Sequence, residues 1–275
     1  MRIKFLGTGA SEGIPSLFCN CRVCKNARAV GGKEIRARTG IMIDENLMID
    51  FPPDIFSTAL RFGVDLLKLK YLLVTHSHCD HLNLDDLVAR NKFNALGNEI
   101  QILKVYSNDC VIEKIRNHSY DFQSEHTFEF NKLSLMISEN MGKYKITAFR
   151  AEHMIEEESL VFLIEKEGKR YLHLTDIGND LKAVKEYLQK NRLTIDVAAI
   201  DTTYGFIQEE FWGHMNFSQV VNACKTFREA NLFTDKTQIY LTHIAHCGKC
   251  THEELQKEAS KYGINVAYDG LDIEI

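Results

Sequence analysis

Thr75-His76-Ser77-His78-Cys79-Asp80-His81 follows directly on the apolar run Tyr71-Leu72-Leu73-Val74. The run reads as a buried strand, so the polar stretch falls where a strand gives way to a loop. Three imidazoles and one carboxylate occupy the six residues from 76 to 81. Imidazole and carboxylate together form a donor set that suits zinc, manganese or iron. Histidines at alternate positions of an extended chain project to one side, which gives His76 and His78 a common target. Asp80 and His81 point elsewhere, toward a second metal beside the first. A lone histidine in an apolar setting is usually structural, but this density at a strand end reads as a metal site.

The chain around this segment has 275 residues, 45% of them hydrophobic, enough to bury a full core as one large domain. Only three prolines occur and no Gly/Ser-rich linker divides the sequence, so residues 1–275 are expected to form a single domain. Lys and Arg number 33 against 38 Asp and Glu, a formal charge of −5. That balance disfavours nucleic acid as a partner, while positive charge at a metal centre still attracts a small anion. Met1-Arg2-Ile3-Lys4-Phe5-Leu6 turns almost at once into glycines and lacks a signal-peptide core. No segment approaches the roughly 20 apolar residues of a membrane helix. A cytoplasmic protein with no membrane partner is expected, its eight cysteines thiols or metal ligands rather than disulfides.

The apolar periodicity predicts strands over 3–6, 40–43, 46–50, 71–74, 100–106, 132–138, 144–150, 160–166, 170–175, 195–200, 238–242, 264–267 and 271–274. Helices are expected over 52–62, 83–90, 108–117, 180–190, 217–230 and 252–262. The glycines of 7–13 are not spaced for a dinucleotide loop and read as tight turns that let backbone pass close to a site. Strand-rich halves, each closed by helices, point to an α/β protein with sheets packed on one another and helices outside.

Three further residues share one placement. His153 follows the strand that ends near Ala151, Asp176 follows Tyr171-Leu172-His173-Leu174-Thr175, and His243 follows Gln238-Ile239-Tyr240-Leu241-Thr242. Loops at strand ends are where such scaffolds gather their sites. Singly, each is a weak signal, since an Asp or His after a strand is more often a turn residue or a cap. Taken with His76, His78, Asp80 and His81, their order resembles the metallo-β-lactamase superfamily, over essentially the whole chain. The resemblance implies a four-layer αββα sandwich with a dinuclear metal site at one edge. It implies that His76, His78 and His153 hold one metal, that Asp80, His81 and His243 hold the other, and that Asp176 bridges them. Zinc, manganese and iron all accept these ligands. A hydroxide between two such cations, available at neutral pH, would attack the substrate, with Asp80 placed to orient it.

His214, in Trp212-Gly213-His214-Met215-Asn216, matches the histidine with which phosphodiesterases of this superfamily bind phosphate or protonate the leaving oxygen. Asp201 ends an apolar strand and is expected to orient His214 as a carboxylate–imidazole pair. Asp50, at the end of an earlier strand, reads either as a partner for a ligand histidine or as a helix N-terminal carboxylate. His118, His126 and His252 are expected to face solvent, and His173, between Leu172 and Leu174, to be a satisfied core histidine.

Cys19-Asn20-Cys21-Arg22-Val23-Cys24 packs three thiols into six residues, which suits a tight structural zinc site. Such a Cys-x-Cys-x-x-Cys loop looks like that of the PhnP-like phosphodiesterases and their PqqB-like relatives. That resemblance implies His246 as the fourth ligand. Cys247 or Cys250 remains an alternative. Cys110 and Cys224 sit in apolar helical contexts and read as core residues. The resulting expectation is a hydrolase with two active-site metals and one structural zinc, acting on a small phosphate diester, cyclic ones included. A tRNA 3′-processing nuclease and a PqqB-like carrier with little activity are the alternatives. Relatives are often dimers, so a homodimer is among the expected assemblies.

Overall fold

Runs such as Leu160-Val161-Phe162-Leu163-Ile164 are apolar at every position, so a strand built from them needs cover on both faces. The structure, a computed structural model, describes residues 1–87, 90, 101–118 and 127–275. One sheet holds β1 (Arg2–Gly7), β2 (Gly40–Ile43), β3 (Leu47–Ile49), β4 (Tyr71–Leu73), β5 (Leu103–Ser107) and β6 (Phe128–Lys132), side by side in that order. The second holds β7 (Ser138–Met141), β8 (Tyr144–Arg150), β9 (Leu160–Lys166), β10 (Lys169–Leu174), β11 (Ile195–Asp201), β12 (Phe233–Thr242) and β13 (Asn265–Val266). The last strand, β14 (Asp272–Glu274), returns to the first sheet and pairs antiparallel with β1, Ile273 opposite Ile3.

Between the sheets, Phe5, Ile41, Ile49 and Leu73 of one meet Ile146, Phe162, Ile164 and Val197 of the other in one buried cluster. The outer face of the second sheet lies under α1 (Arg22–Val30) and other helices, and that of the first under α2 (Ile55–Phe62), α3 (Leu84–Leu87) and α4 (Asp109–His118). The second sheet's other helices are α5 (Lys182–Lys190), α6 (Phe217–Glu229) and α7 (His252–Ser260), which bring Val184, Val220 and Leu255 onto Leu163, Ala198 and Leu241. The order of layers is therefore αββα. On β9 the period of two is plain: Phe162 and Ile164 enter the space between the sheets, while Val161 and Leu163 meet the helices. Four such buried side chains contribute on the order of 8 kcal/mol before the entropy of ordering is counted.

That rigidity matters at the strand ends. Strands β3, β4, β5 and β6 run parallel, as do β10, β11, β12 and β13, so each group delivers its carboxyl ends to one edge. Asp50, Asp176 and His243 leave their strands in the left-handed region, at φ 60°, 53° and 54°. Each such non-glycine turn costs about 1–2 kcal/mol, well within what the packed strands supply.

Two expected elements differ. The strand expected over 132–138 is two strands, β6 ending at Lys132 in the first sheet and β7 starting at Ser138 in the second. The chain changes sheets between them, with Met136 at φ 58°. Helix α1 had no expectation at all. Its cap is the sulfur of Cys21, which accepts from the backbone N–H of Cys24 at 3.5 Å, whereas sequence signals for a cap rest on oxygen-bearing side chains. Among the described part of the helix expected over 83–90, only Leu84–Leu87 is α-helical. The glycine loop does hold backbone close: a Cβ on Gly7 would lie 1.9 Å from the carbonyl oxygen of Arg38, and Gly9 bridges to Ile244, the neighbour of His243.

Candidate active site

Five strand ends bring the site together. The loop after β4 carries His76, His78, Asp80 and His81, the loop after β8 carries His153, and Asp176 follows β10. Asp201 ends β11, and His243 follows β12. Donor atoms of His76, His78 and His153 converge, as do those of Asp80, His81 and His243, and those of His76, His81 and Asp176. His78 turns Nδ1 inward, 2.9 Å from Nε2 of His76 and 3.1 Å from Nε2 of His153. Asp176 lies between the groups, its carboxylate 3.1 Å from His81 Nε2, 3.4 Å from His243 Nε2 and 3.7 Å from His153 Nε2. All but His78 are buried or nearly so.

This arrangement fits divalent cations on its own chemistry. His81 Nε2, His243 Nε2 and both oxygens of Asp176 are buried with no aligned hydrogen-bond partner. A buried polar atom left so costs about 1–3 kcal/mol, and four that face one another need a common occupant. Nε2 of His76 and Nε2 of His153 both face Nδ1 of His78, and three imidazole nitrogens so placed cannot all be satisfied by one another's protons. Burial, helped by the neighbouring imidazoles, pushes His76 and His153 below the ordinary histidine range, so both offer lone pairs. Burial opposes ionisation of Asp80 and Asp176, yet His81 and His243 hold both far below the usual carboxylate range. Burial likewise disfavours a charge on His81, but Asp50, Asp176 and Asp80 outweigh it and raise the imidazole well above its ordinary range.

Behind the inward-facing atoms lies a second ring of contacts. Asp50, wholly buried, accepts from His81 Nδ1 at 2.7 Å and from both the backbone N–H and the hydroxyl of Thr75. It is thus a partner of a histidine and does not cap α2. Asp201 accepts from His214 Nδ1 at 2.8 Å, from Thr203 and from the backbone N–H of Asp176. Burial pulls the His214 charge down, and Asp201 more than offsets it, raising the imidazole to about 9. The His214 ring stacks on His243 at 5.3 Å and stands edge-on to His153 at 4.8 Å. Tyr204 lies edge-on to it and in turn packs against the exposed Phe211. Thr75 and Thr203 belong to this ring and had no place in the sequence reading. Their type is too common to single out, and the only available signal was position, next to His76 and two residues after Asp201.

The thiols of Cys19, Cys21 and Cys24 gather with His246 in a separate group, Cys19 Sγ 3.5 Å and Cys21 Sγ 3.6 Å from its Nδ1. Three sulfurs and one imidazole are the donor set of a closed tetrahedral zinc. Burial works to raise the Cys21 thiol, but hydrogen bonds from Cys24 and the neighbouring groups bring it to about 6. Cys247 is exposed and Cys250 is buried in the core, and neither joins this group. His252 is buried, not solvent-facing, because it accepts from the buried Arg36 at 2.9 Å. Cys110 is exposed rather than core, whereas Cys224 is buried. His173 is buried and satisfied by Tyr171 and Thr175 at 3.0 and 2.7 Å. His118 pairs with Asp85, and His126 lies outside the described residues.

No helix among the described residues is long and apolar enough to cross a membrane. Comparison with known proteins extends the picture. A segment of the chain is 40% identical over 92 residues to the octanoyltransferase of Porphyromonas gingivalis (strain ATCC BAA-308 / W83). The match takes in 32% of this chain and only 18% of that protein. Among solved structures, a diphosphatase from the PhnP family superposes with a TM-score of 0.75 and 23% identity, covering 100% of this chain and 97% of that one. Zinc-bound PqqB from Methylobacterium extorquens gives a TM-score of 0.75 and 17% identity, covering 100% of both chains. The beta-lactamase superfamily domain matches residues 45–244, from the hairpin before Asp50 to just past His243. With most of its length matched and its sheets stacked as αββα, the chain belongs to the beta-lactamase superfamily, the hydrolases of the metallo-β-lactamase fold.

Proposed function

We propose that the chain is a metal-dependent phosphodiesterase acting on a small phosphate diester. The observation that carries this reading is the His214–Asp201 pair at 2.8 Å, set beside the converging metal donors. His76, His78 and His153 would hold one divalent cation, Asp80, His81 and His243 a second, with Asp176 shared between them. Cations bound there supply an activated water at neutral pH and neutralise charge on the phosphoryl oxygens.

The chain's own groups do the rest. Asp80 accepts a hydrogen bond from the attacking water and aims it at phosphorus. His214, kept cationic by Asp201, has Nδ1 engaged and offers Nε2 to the substrate. As the bond from phosphorus to the leaving oxygen breaks, His214 gives that oxygen its proton. The products are a phosphate monoester and an alcohol; of the two protons of the water, one restores His214 by way of solvent and the other is released to solvent. The aromatic run from His214 through Tyr204 to Phe211 gives the organic part of a small diester an apolar surface. The net charge of −5 argues against a long polyanion such as precursor tRNA.

The test is hydrolysis of bis(p-nitrophenyl) phosphate by protein loaded with zinc, manganese or iron. Wild type is expected to turn over and His78→Ala to lose activity. Demonstrably metal-loaded wild-type protein that is inert with every metal overturns the proposal. A second reading draws on the segment shared with an octanoyltransferase: hydrolysis of an octanoyl ester or thioester at the same metals. Side-by-side rates on an octanoyl thioester and on the diester separate the two.

A further inference from the structure

The hydroxyl of Thr203 has four polar neighbours and one hydrogen. It lies 2.8 Å from Asp201 Oδ1, 2.8 Å from the backbone oxygen of His243, 2.8 Å from His243 Nδ1 and 3.2 Å from His214 Nδ1. The first two accept only, so they compete for its single hydrogen. Whichever receives it, the lone pairs of Thr203 face His243 Nδ1, and that nitrogen must donate. His214 Nδ1 is already committed to the other oxygen of Asp201 at 2.8 Å. The tautomer of His243 then follows: proton on Nδ1, bare lone pair on Nε2, the atom buried without a partner beside Asp176 and Asp80.

We infer that Thr203 is a positioning residue that fixes His243 in its metal-binding tautomer and joins it, through Asp201, to His214. The ring that would hold a cation and the ring that would meet substrate thus hang on one buried carboxylate. His243 has special need of such a tether, because it leaves β12 in the left-handed region. The same device occurs independently in the first sheet. The Thr75 hydroxyl donates to Asp50 at 2.9 Å and lies 2.9 Å from His76 Nδ1, which must donate to it in turn. Histidines that bind metals commonly give their second N–H to a carboxylate or carbonyl. Here a threonine hydroxyl stands between imidazole and carboxylate in both halves.

The inference rests on His243 as a metal ligand and is independent of the substrate. The probe is zinc, titrated into the full chain against a chelating dye, for wild type, Thr203→Val and Thr203→Ser. Thr203→Val keeps the shape and removes the hydroxyl, and should weaken one zinc by about 10–100-fold. Thr203→Ser should restore it to within a few-fold, and zinc at the cysteine group should be unchanged. In zinc-loaded wild type carrying ¹⁵N-histidine, His243 should show a protonated Nδ1 and a coordinated Nε2. This spectrum needs no variant to fold. Wild-type zinc affinity in Thr203→Val, equal losses in Val and Ser, or a zinc-bound Nδ1 on His243 would each overturn the inference. An inactive wild type with the expected spectrum would sink the phosphodiesterase reading and leave this one standing.

Discussion

Asp201 is wholly buried and accepts from His214 and from the backbone N–H groups of Thr203 and Asp176, with the Thr203 hydroxyl also 2.8 Å away. Its charge and its hydrogen bond to Nδ1 are what raise His214 and keep that imidazole cationic. Asparagine in its place would retain the shape but carry no charge, and its NH2 would face one of the donors. If His214 is the acid, its worth depends on how badly the leaving oxygen needs a proton. Nitrophenolate leaves without help, whereas an alkoxide does not. Asp201→Asn and His214→Ala should therefore lose about 10²-fold or more in kcat on an alkyl diester and much less on bis(p-nitrophenyl) phosphate. Equal losses on both substrates, measured side by side, would remove the acid role from His214. The inward-facing donors of this site were legible in the sequence as a combination, three imidazoles and a carboxylate after one strand with His153, Asp176 and His243 each after another, which turns and caps do not call for together. Thr75 and Thr203 were not, because a hydroxyl's partner can lie anywhere in the fold.

At the scale of elements, the strands were readable wherever both faces are buried, as in β9 and β11, since a continuous apolar run has one outcome. The change of sheet between Lys132 and Ser138 was not, for no glycine or proline marks it. The loop after β11 shows how tightly one element is fitted to the next. Gly205 sits at φ 43°, and a Cβ there would lie 2.7 Å from both Cys250 Sγ and the backbone oxygen of Gly248. Phe206 donates to that same Gly248 oxygen at 2.9 Å, and Phe217 to the oxygen of Gly205 at 2.8 Å. Buried Cys250 thus has a packing role beneath the loop that holds Asp201 and Thr203. Gly205→Ala combines a disfavoured backbone angle with a clash and should cost more than about 2 kcal/mol in urea unfolding. A loss below 0.5 kcal/mol would show that the loop yields easily.

Across the whole molecule, a buried polar network ties the two ends of the chain together. Arg36 donates to the hydroxyl of Thr8, to the backbone oxygen of Ala267 and to His252 Nδ1, while Asp269 accepts from Thr8 and from the backbone of Ala37. The network joins the end of β1, the start of α7 and the segment between β13 and β14. Burial, with help from Arg36 and Lys33, lowers His252 to about 4. An unfolded histidine titrates near 6.5. Between those values the unfolded chain takes up a proton at His252 that the folded chain refuses, so this residue makes the fold less stable as pH falls from about 6.5 toward 4. Burial raises Asp269 to about 6, and its contribution runs the other way, because the folded chain then protonates first. The wild-type stability curve is flattened by this opposition, so the clean measurement is a difference. His252→Gln keeps an acceptor for Arg36 and removes the titration. Its stability relative to wild type, from urea unfolding at matched metal content, should improve by about 2 kcal/mol between pH 7 and pH 5. A difference that does not move over that range would mean that His252 is free to take its proton inside the fold.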